Sequence, residues 1–291
     1  MYFKKPDAIK INVRKVNLEF TSDLPVQWYT GNPAILNFCN IVSIMFPTGE
    51  QFFIDSVRHY RDKLTGSELQ NQVTAFLAQE SMHSRQHTQC NNLLKNNNKH
   101  LIFIEKIASL CFYIPRNYYP KSTVLAISCA LEHFTAIFAN NILRSKYFVK
   151  LAHPVYANLW LWHAAEEIEH KAVCYDVYQQ ITGGGLRGYI ERCLAMLGVT
   201  LCILLVILLI SVIMLFKKIK ERKLNIVKKK EKIKNPYTTG WFRYLFIKPG
   251  IISNIAAPYL AYYVPGFHPW KYDNADIVAK WKQQYEKSLI S

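Results

Sequence analysis

From Trp160 to Asp176 the chain runs without glycine or proline and sets His163, Glu166, Glu167, Glu169 and His170 among Trp, Leu, Ala and Ile. Read as a helix at about 100° per residue, His163, Glu167 and His170 fall within roughly 60° of one another, so the three heads can point at one spot. Their apolar neighbours mark that side for packing. Desolvating an isolated carboxylate costs about several kcal/mol, and a divalent cation is a partner that serves Glu and His together. A solvated helix held by i, i+4 contacts explains the same letters, so the rest of the chain has to decide.

Residues 1–32 form a polar lead-in in which Ile9, Ile11, Val13, Val16, Leu18 and Phe20 alternate as a short strand pair would. After Gly31-Asn32-Pro33 a helix over Ala34–Phe46 is expected to bend or break at Pro47, with a second helix restarting at Thr48, whose spacing to Gln51 is that of a capping box. Glu50 sits inside the restart, which runs to about Arg61. The next helix, from about Ser67 to Leu94, carries Val73, Phe76, Glu80, His83 and His87 on one stripe, apolar residues leading into acidic and imidazole ones. A polar break and a crossover ended by Pro115 and Pro120 follow. A helix from about Ser122 then holds one acid, Glu132, aligned with Leu125, Ser128, Thr135, Ala136 and Ala139, while His133 lies about 100° away as a bystander. After Pro154 comes the helix described first, read as continuous to the glycines at 183–185.

Four helices thus present, in order, Glu50, Glu80-x-x-His83, Glu132 and Glu167-x-x-His170. That is the ligand order of ferritin-like di-iron and di-manganese carboxylate bundles, and the long 94–122 connection supplies their crossover. The expected fold is all-α: a ferritin-like four-helix bundle with a di-metal site over 33–192, holding two divalent ions, iron first, with manganese or zinc also accepted by such donors. Some positions stay open. Glu166 also reaches His170 and is an alternative to Glu167; Glu169 is outer shell or solvent; His87 and His163 are extra ligands, hydrogen-bond partners of ligands, or core histidines. Glu166 or His163 is the expected catalytic proton carrier, and the small residues beside Glu132 are expected to leave room for substrate.

The segments WYTGNPAILNFCNIVSIMFPTGEQFF (28–53), FLAQESMHSRQH (76–87), ALEHFTA (130–136), WLWHAAEEIEHKAVCYDVY (160–178) and YVPGFHPW (263–270) resemble the bacterial family of predicted metal-dependent hydrolases, a ferritin-like group. The resemblance implies metal at Glu50, Glu80, His83, Glu132, Glu167 and His170, the same set. It implies metal more firmly than reaction.

Leu194–Phe216 is uncharged and long enough to cross a bilayer. The charge of +16 is half accounted for by residues 217–234, ten Lys/Arg against two Glu. Placed next to an apolar run, this polybasic stretch points to anionic membrane lipids rather than nucleic acid. The reading divides the remainder into a transmembrane or monotopic helix (193–216), a polybasic linker (217–240) and an aromatic segment (241–291) that covers the bundle or the membrane interface. Ten positive charges after the span favour a cytoplasmic flank, and a start without an apolar leader favours a cytoplasmic metal domain at the bacterial inner membrane. The two agree if the segment enters as a hairpin or lies as a monotopic anchor. Seven scattered cysteines without a CxxC pair read as reduced, buried thiols. The leading expectation is oxidation of an apolar, lipid-like substrate with dioxygen. Metal-dependent hydrolysis and a non-enzymatic membrane-tethered metal protein are the alternatives, and a homodimer is among the assemblies left open.

Overall fold

In the computed structural model, residues 6, 9–223 and 251–286 are described. The helices are α1 (Pro33–Arg58), α2 (Ser67–Asn97), α3 (His100–Tyr118), α4 (Lys121–Arg144), α5 (Lys146–Leu151), α6 (Pro154–His170), α7 (Val173–Thr182), α8 (Leu186–Lys223), α9 (Ile251–Ala261) and α10 (Ala275–Trp281). The architecture is all-helical, with no strand among the described residues. α1 packs on α2 and α4 on α6, and contacts of α1 with α4 and of α2 with α6 close a ring of the four Glu/His helices.

Two apolar clusters fill this ring. One gathers Leu36, Ile44, Cys90, Ala139, Leu159 and Trp162; the other gathers Phe52, Val57, Phe76, Leu125, Val177 and Tyr178. Along each of the four chain segments the acidic and imidazole residues fall where one cluster gives way to the other. Burying these faces supplies the drive to assemble, at about 25 cal/mol per Å² of apolar surface. The polar layer is therefore held in place by apolar packing on both sides.

Three expectations are corrected. Pro47 does not break the first helix: α1 is continuous through it. A proline in a helix interior costs about 3 kcal/mol because it removes a donor and crowds the carbonyl one turn back. Here that carbonyl, on Ser43, receives a replacement donor from Asn91 Nδ2 at 2.7 Å. The strand pair near the start is absent. Residues 9–20 run along the bundle without regular secondary structure, and their backbone is met by side chains instead of a partner strand: Gln86 donates to Val16 O and accepts from Leu18 N, and Gln79 donates to Asn12 O. Finally, the helix expected to run to the glycines is interrupted at Lys171 and Ala172, directly after His170. Lys171 Nζ turns to Tyr272 O (2.7 Å) and Asn274 Oδ1 (2.8 Å), a tertiary attachment that no local letter announces. α7 then ends as expected on a left-handed glycine, Gly183 with φ 70°.

The expected membrane run lies within α8, which begins earlier and ends later than 193–216. Both α4 and the Leu186–Leu208 part of α8 are long and apolar enough to cross a membrane. They differ in surroundings: that window is 61% buried in α4 and 22% buried in α8. α4 is thus a core helix, whereas α8 buries Ala195, Met196 and Val199 and exposes Leu194, Leu197, Leu201, Leu204, Leu205 and Leu208. Residues 224–250, with most of the polybasic stretch and the start of the aromatic segment, lie outside the described residues. Residues 251–286 of that segment pack on the bundle, where Phe267, Trp270 and Trp281 are buried. The cysteines are free; Cys39, Cys90, Cys129 and Cys174 are buried as expected, while Cys202 is exposed.

Candidate metal centre

α1 contributes Glu50, α2 Glu80 and His83, α4 Glu132, and α6 His163, Glu167 and His170. All are at most 3% exposed. Side-chain donors of Glu80, His83, Glu167 and His170 lie within 4.8 Å of one another, and so do those of Glu50, His83 and His163. His83 belongs to both groups, so the two adjoin.

Eight buried polar atoms in this cluster have no hydrogen-bond partner: both oxygens of Glu50, both of Glu80, Glu132 Oε1, Glu167 Oε2, His83 Nδ1 and His170 Nε2. Leaving one such group unsatisfied costs about 1–3 kcal/mol, and more when it is charged. A protein does not concentrate that cost in one layer unless something occupies it. Charge sharpens the point. Among the described residues no Lys or Arg pairs with Glu50, Glu80, Glu132 or Glu167; their ionic neighbours are the imidazoles. Four carboxylates balance two divalent cations, and the mixed Glu/His donor set suits Fe, Mn or Zn. The residues therefore fit a two-cation site.

The outer carboxylates are arranged differently. Glu166 accepts from Arg14 Nη1 at 2.9 Å, and its other oxygen lies 3.0 Å from His83 Nε2. Glu169 is chelated by Arg14 and also meets Gln79 and Lys282. Because a carboxylate accepts, Glu166 keeps the proton on His83 Nε2 and turns Nδ1 inward, 3.7 Å from Glu80 and from Glu167. Glu167 rather than Glu166 thus faces the centre, and Glu166 stands behind His83. Sequence reasoning did not foresee Arg14, which reaches across more than a hundred residues and has no local signature.

The fields inside the cluster oppose one another. Burial, then the charge of Glu80, raises the Glu50 carboxyl well above the usual range. Burial raises Glu132 to about 8 despite His170. Burial would raise Glu167 too, but the charge of His170 leads the effects that bring it down to about 2. Burial would lower His83, but its hydrogen bond to Glu166 and the nearby Glu80 carboxylate carry it up to about 10. His170, between Glu132 at 3.2 Å and Glu80 at 3.1 Å, is raised well above normal against its burial. Glu50, Glu132, His83 and His170 are thus all displaced toward their protonated forms, which metal binding would oppose.

With metal-ready donors on four helices in this order, the sequence model of a family described as "Predicted metal-dependent hydrolase" matches residues 12–273. The chain belongs to that family. No curated protein and no solved structure matches it. Membership in the predicted metal-dependent hydrolases agrees with the resemblance drawn from the motifs, and the matched span contains Arg14 and every Glu and His of the cluster.

A small pocket reaches this family member's centre at Glu167 and His163, walled by Phe46, Thr135, Phe138, Ala139, Ile142, Trp160 and Ala164. Of the small residues expected to leave room beside Glu132, Thr135 and Ala139 line this pocket. Ala136 instead lines a separate pocket with His133 and Lys171, and Ser128 is bonded to Ser56 Oγ at 2.8 Å between α1 and α4. His133 faces away from the centre: a carbonyl oxygen only accepts, so its Nε2–H donates to Pro258 O at 2.9 Å.

Proposed function

We propose that this chain is a membrane-associated hydrolase that works through two divalent cations held by Glu50, Glu80, His83, Glu132, Glu167 and His170. The observation that carries the reading is the convergence of eight unpartnered, buried donor atoms from four helices on one layer. The family description supports hydrolysis over other metal chemistry. Bound there, two cations supply Lewis acidity and a nucleophile at neutral pH. The chain's own residues do the rest. Arg14 and Glu166 hold the His83 ring in one orientation; Phe46, Phe138, Ile142 and Trp160 keep bulk water from the approach and favour a substrate with an apolar portion next to the reacting group. Glu166, engaged by Arg14 and His83, suits positioning better than proton transfer.

The exposed leucine face of α8 supports attachment to a bilayer, with the polybasic residues beyond it drawn to anionic headgroups. A second reading, oxidation by two irons and dioxygen, is favoured by the same apolar wall and by a ferritin-like order of ligands. One experiment separates the two. The detergent-purified protein is analysed for metal, and its absorption is recorded anaerobically with ferrous iron and again after oxygen is admitted. Two zinc or manganese ions, ester or amide cleavage dependent on them, and no response to oxygen support the hydrolase. Two irons and an oxygen-dependent band lost in Glu132→Ala support the oxidase. Absence of bound metal after reconstitution sinks both.

A further inference from the structure

Beyond the six donors, a directional chain of hydrogen bonds enters the centre from α1 and α2. It starts at the Ser43 carbonyl, which Pro47 deprives of its helical donor. A carbonyl oxygen only accepts, so the Asn91 atom 2.7 Å from it is the amide nitrogen. The other Asn91 atom, 2.6 Å from Ser43 Oγ, is therefore the amide oxygen, and Ser43 spends its one hydroxyl proton there. Ser43 Oγ can then only accept along its contact with His87 Nδ1 at 2.8 Å, so Nδ1 carries a proton. His87 is fully buried, lies against Phe46 and Trp160, and touches no carboxylate that would hold a second proton on it. Its Nε2 is thus a lone pair, and His163 Nδ1, 2.7 Å away, donates to it. A neutral His163 with its proton on Nδ1 has a bare lone pair on Nε2.

That lone pair points into the centre. It lies 2.8 Å from Glu167 Oε1 and 3.9 Å from Glu50 Oε1, so acceptors face acceptors. Such an arrangement repels unless a positive ion joins the donors, and a gap of this size is one that neighbouring donors on a single ion adopt when each bond is about 2.0–2.2 Å. Granting the two-cation reading above, on which this depends, we infer that His163 is a seventh ligand of the centre, bound through Nε2, and that Asn91, Ser43 and His87 fix the tautomer that bares this atom. The centre is then asymmetric: the ion next to Glu50 gains an imidazole that the other lacks. Pro47 acquires a reason as well, because the carbonyl it frees sets the direction of every bond in the chain.

The test uses the full-length protein in detergent, labelled with 15N-histidine and loaded with zinc, with bound zinc counted separately. The structure predicts three imidazole nitrogens at metal-bound positions in the 15N spectrum, one of them an Nε2 that disappears in His163→Ala, while His87 keeps one protonated and one acceptor nitrogen. Ser43→Ala frees His87 to take either tautomer and lowers affinity for one of the two zinc ions about 10–100-fold, the usual effect of removing an outer-shell partner. Two bound zinc ions with only two metal-bound imidazole nitrogens overturn the assignment and leave the two-cation site standing. Unchanged affinity for both ions in Ser43→Ala overturns the role of the chain. If no zinc binds, the two-cation reading itself fails.

Discussion

At the scale of single residues the centre is a contest between burial and opposite charge, and its outcome is measurable. Glu132 and His83 both have folded values above their unfolded ones, from 4.5 to about 8 and from 6.5 to about 10. Each contributes stability that is complete below the unfolded value and lost as pH rises through the folded one. The chelator-treated protein therefore loses thermal stability between pH 7 and 9, whereas the metal-loaded protein, its donors already deprotonated, changes little. A metal-free Tm that holds or rises over that interval contradicts this account. Metal uptake also releases protons, so affinity climbs with pH. Glu166 offers a second check: Glu166→Gln keeps the fold but loosens His83, and competition with a chromophoric chelator is expected to show about 10–100-fold weaker metal binding. An unchanged affinity means that Glu166 does not orient the ligand.

At the scale of elements, each Glu/His helix serves as a core helix on both sides of the polar layer, so the ligands are positioned by Leu, Val, Phe and Trp packing rather than by loops. The lead-in acts as a further element: it carries Arg14 to Glu166 and Glu169 and is itself anchored by glutamines of α2. α4 shows how finely the faces divide. Ala136 and Ala139 are one turn apart yet line different pockets. Ala139→Leu is predicted to fill the approach to Glu167 while both ions stay bound. In cobalt-substituted protein, azide should then perturb the visible spectrum at least about tenfold more weakly, a loss of access that a single added side chain can cause. Ala136→Leu should leave the azide response unaltered; equal effects of both substitutions place the approach elsewhere.

At the scale of the whole molecule, an enclosed polar layer and an exposed apolar helix coexist in one chain. α8 packs its inner side on α4 and seats Arg192 among the rings of Tyr175, Tyr189, Tyr262 and Phe267, which fixes its base. Its outer side presents leucines over several turns, a patch that soluble proteins rarely leave bare. On the proposed bilayer attachment, the triple substitution Leu201→Glu, Leu205→Glu and Leu208→Glu is predicted to move the protein from the membrane pellet to the supernatant with its metal content unchanged. Retention in the pellet assigns membrane attachment to other residues.

The residue chemistry and the helices that carry it were legible in the amino-acid sequence. Glu and His at i, i+3 on apolar stripes are legible because helical period and burial leave them few other partners, and the apolar run of α8 is legible from length alone. Tertiary structure decided which carboxylate faces inward. Glu166 and Glu167 are neighbours with equal claims on paper, and only the arrival of Arg14 from the far end of the chain makes one a brace and the other a candidate ligand. It also decided the fate of Pro47, whose breaking tendency is local but whose freed carbonyl is satisfied from another helix by Asn91. The interruption after His170 belongs to the same class, since Lys171 is drawn off by residues of the C-terminal segment. Propensity and periodicity act over a few residues; a hydrogen bond or ion pair to a distant segment outweighs them and leaves no trace in the letters nearby.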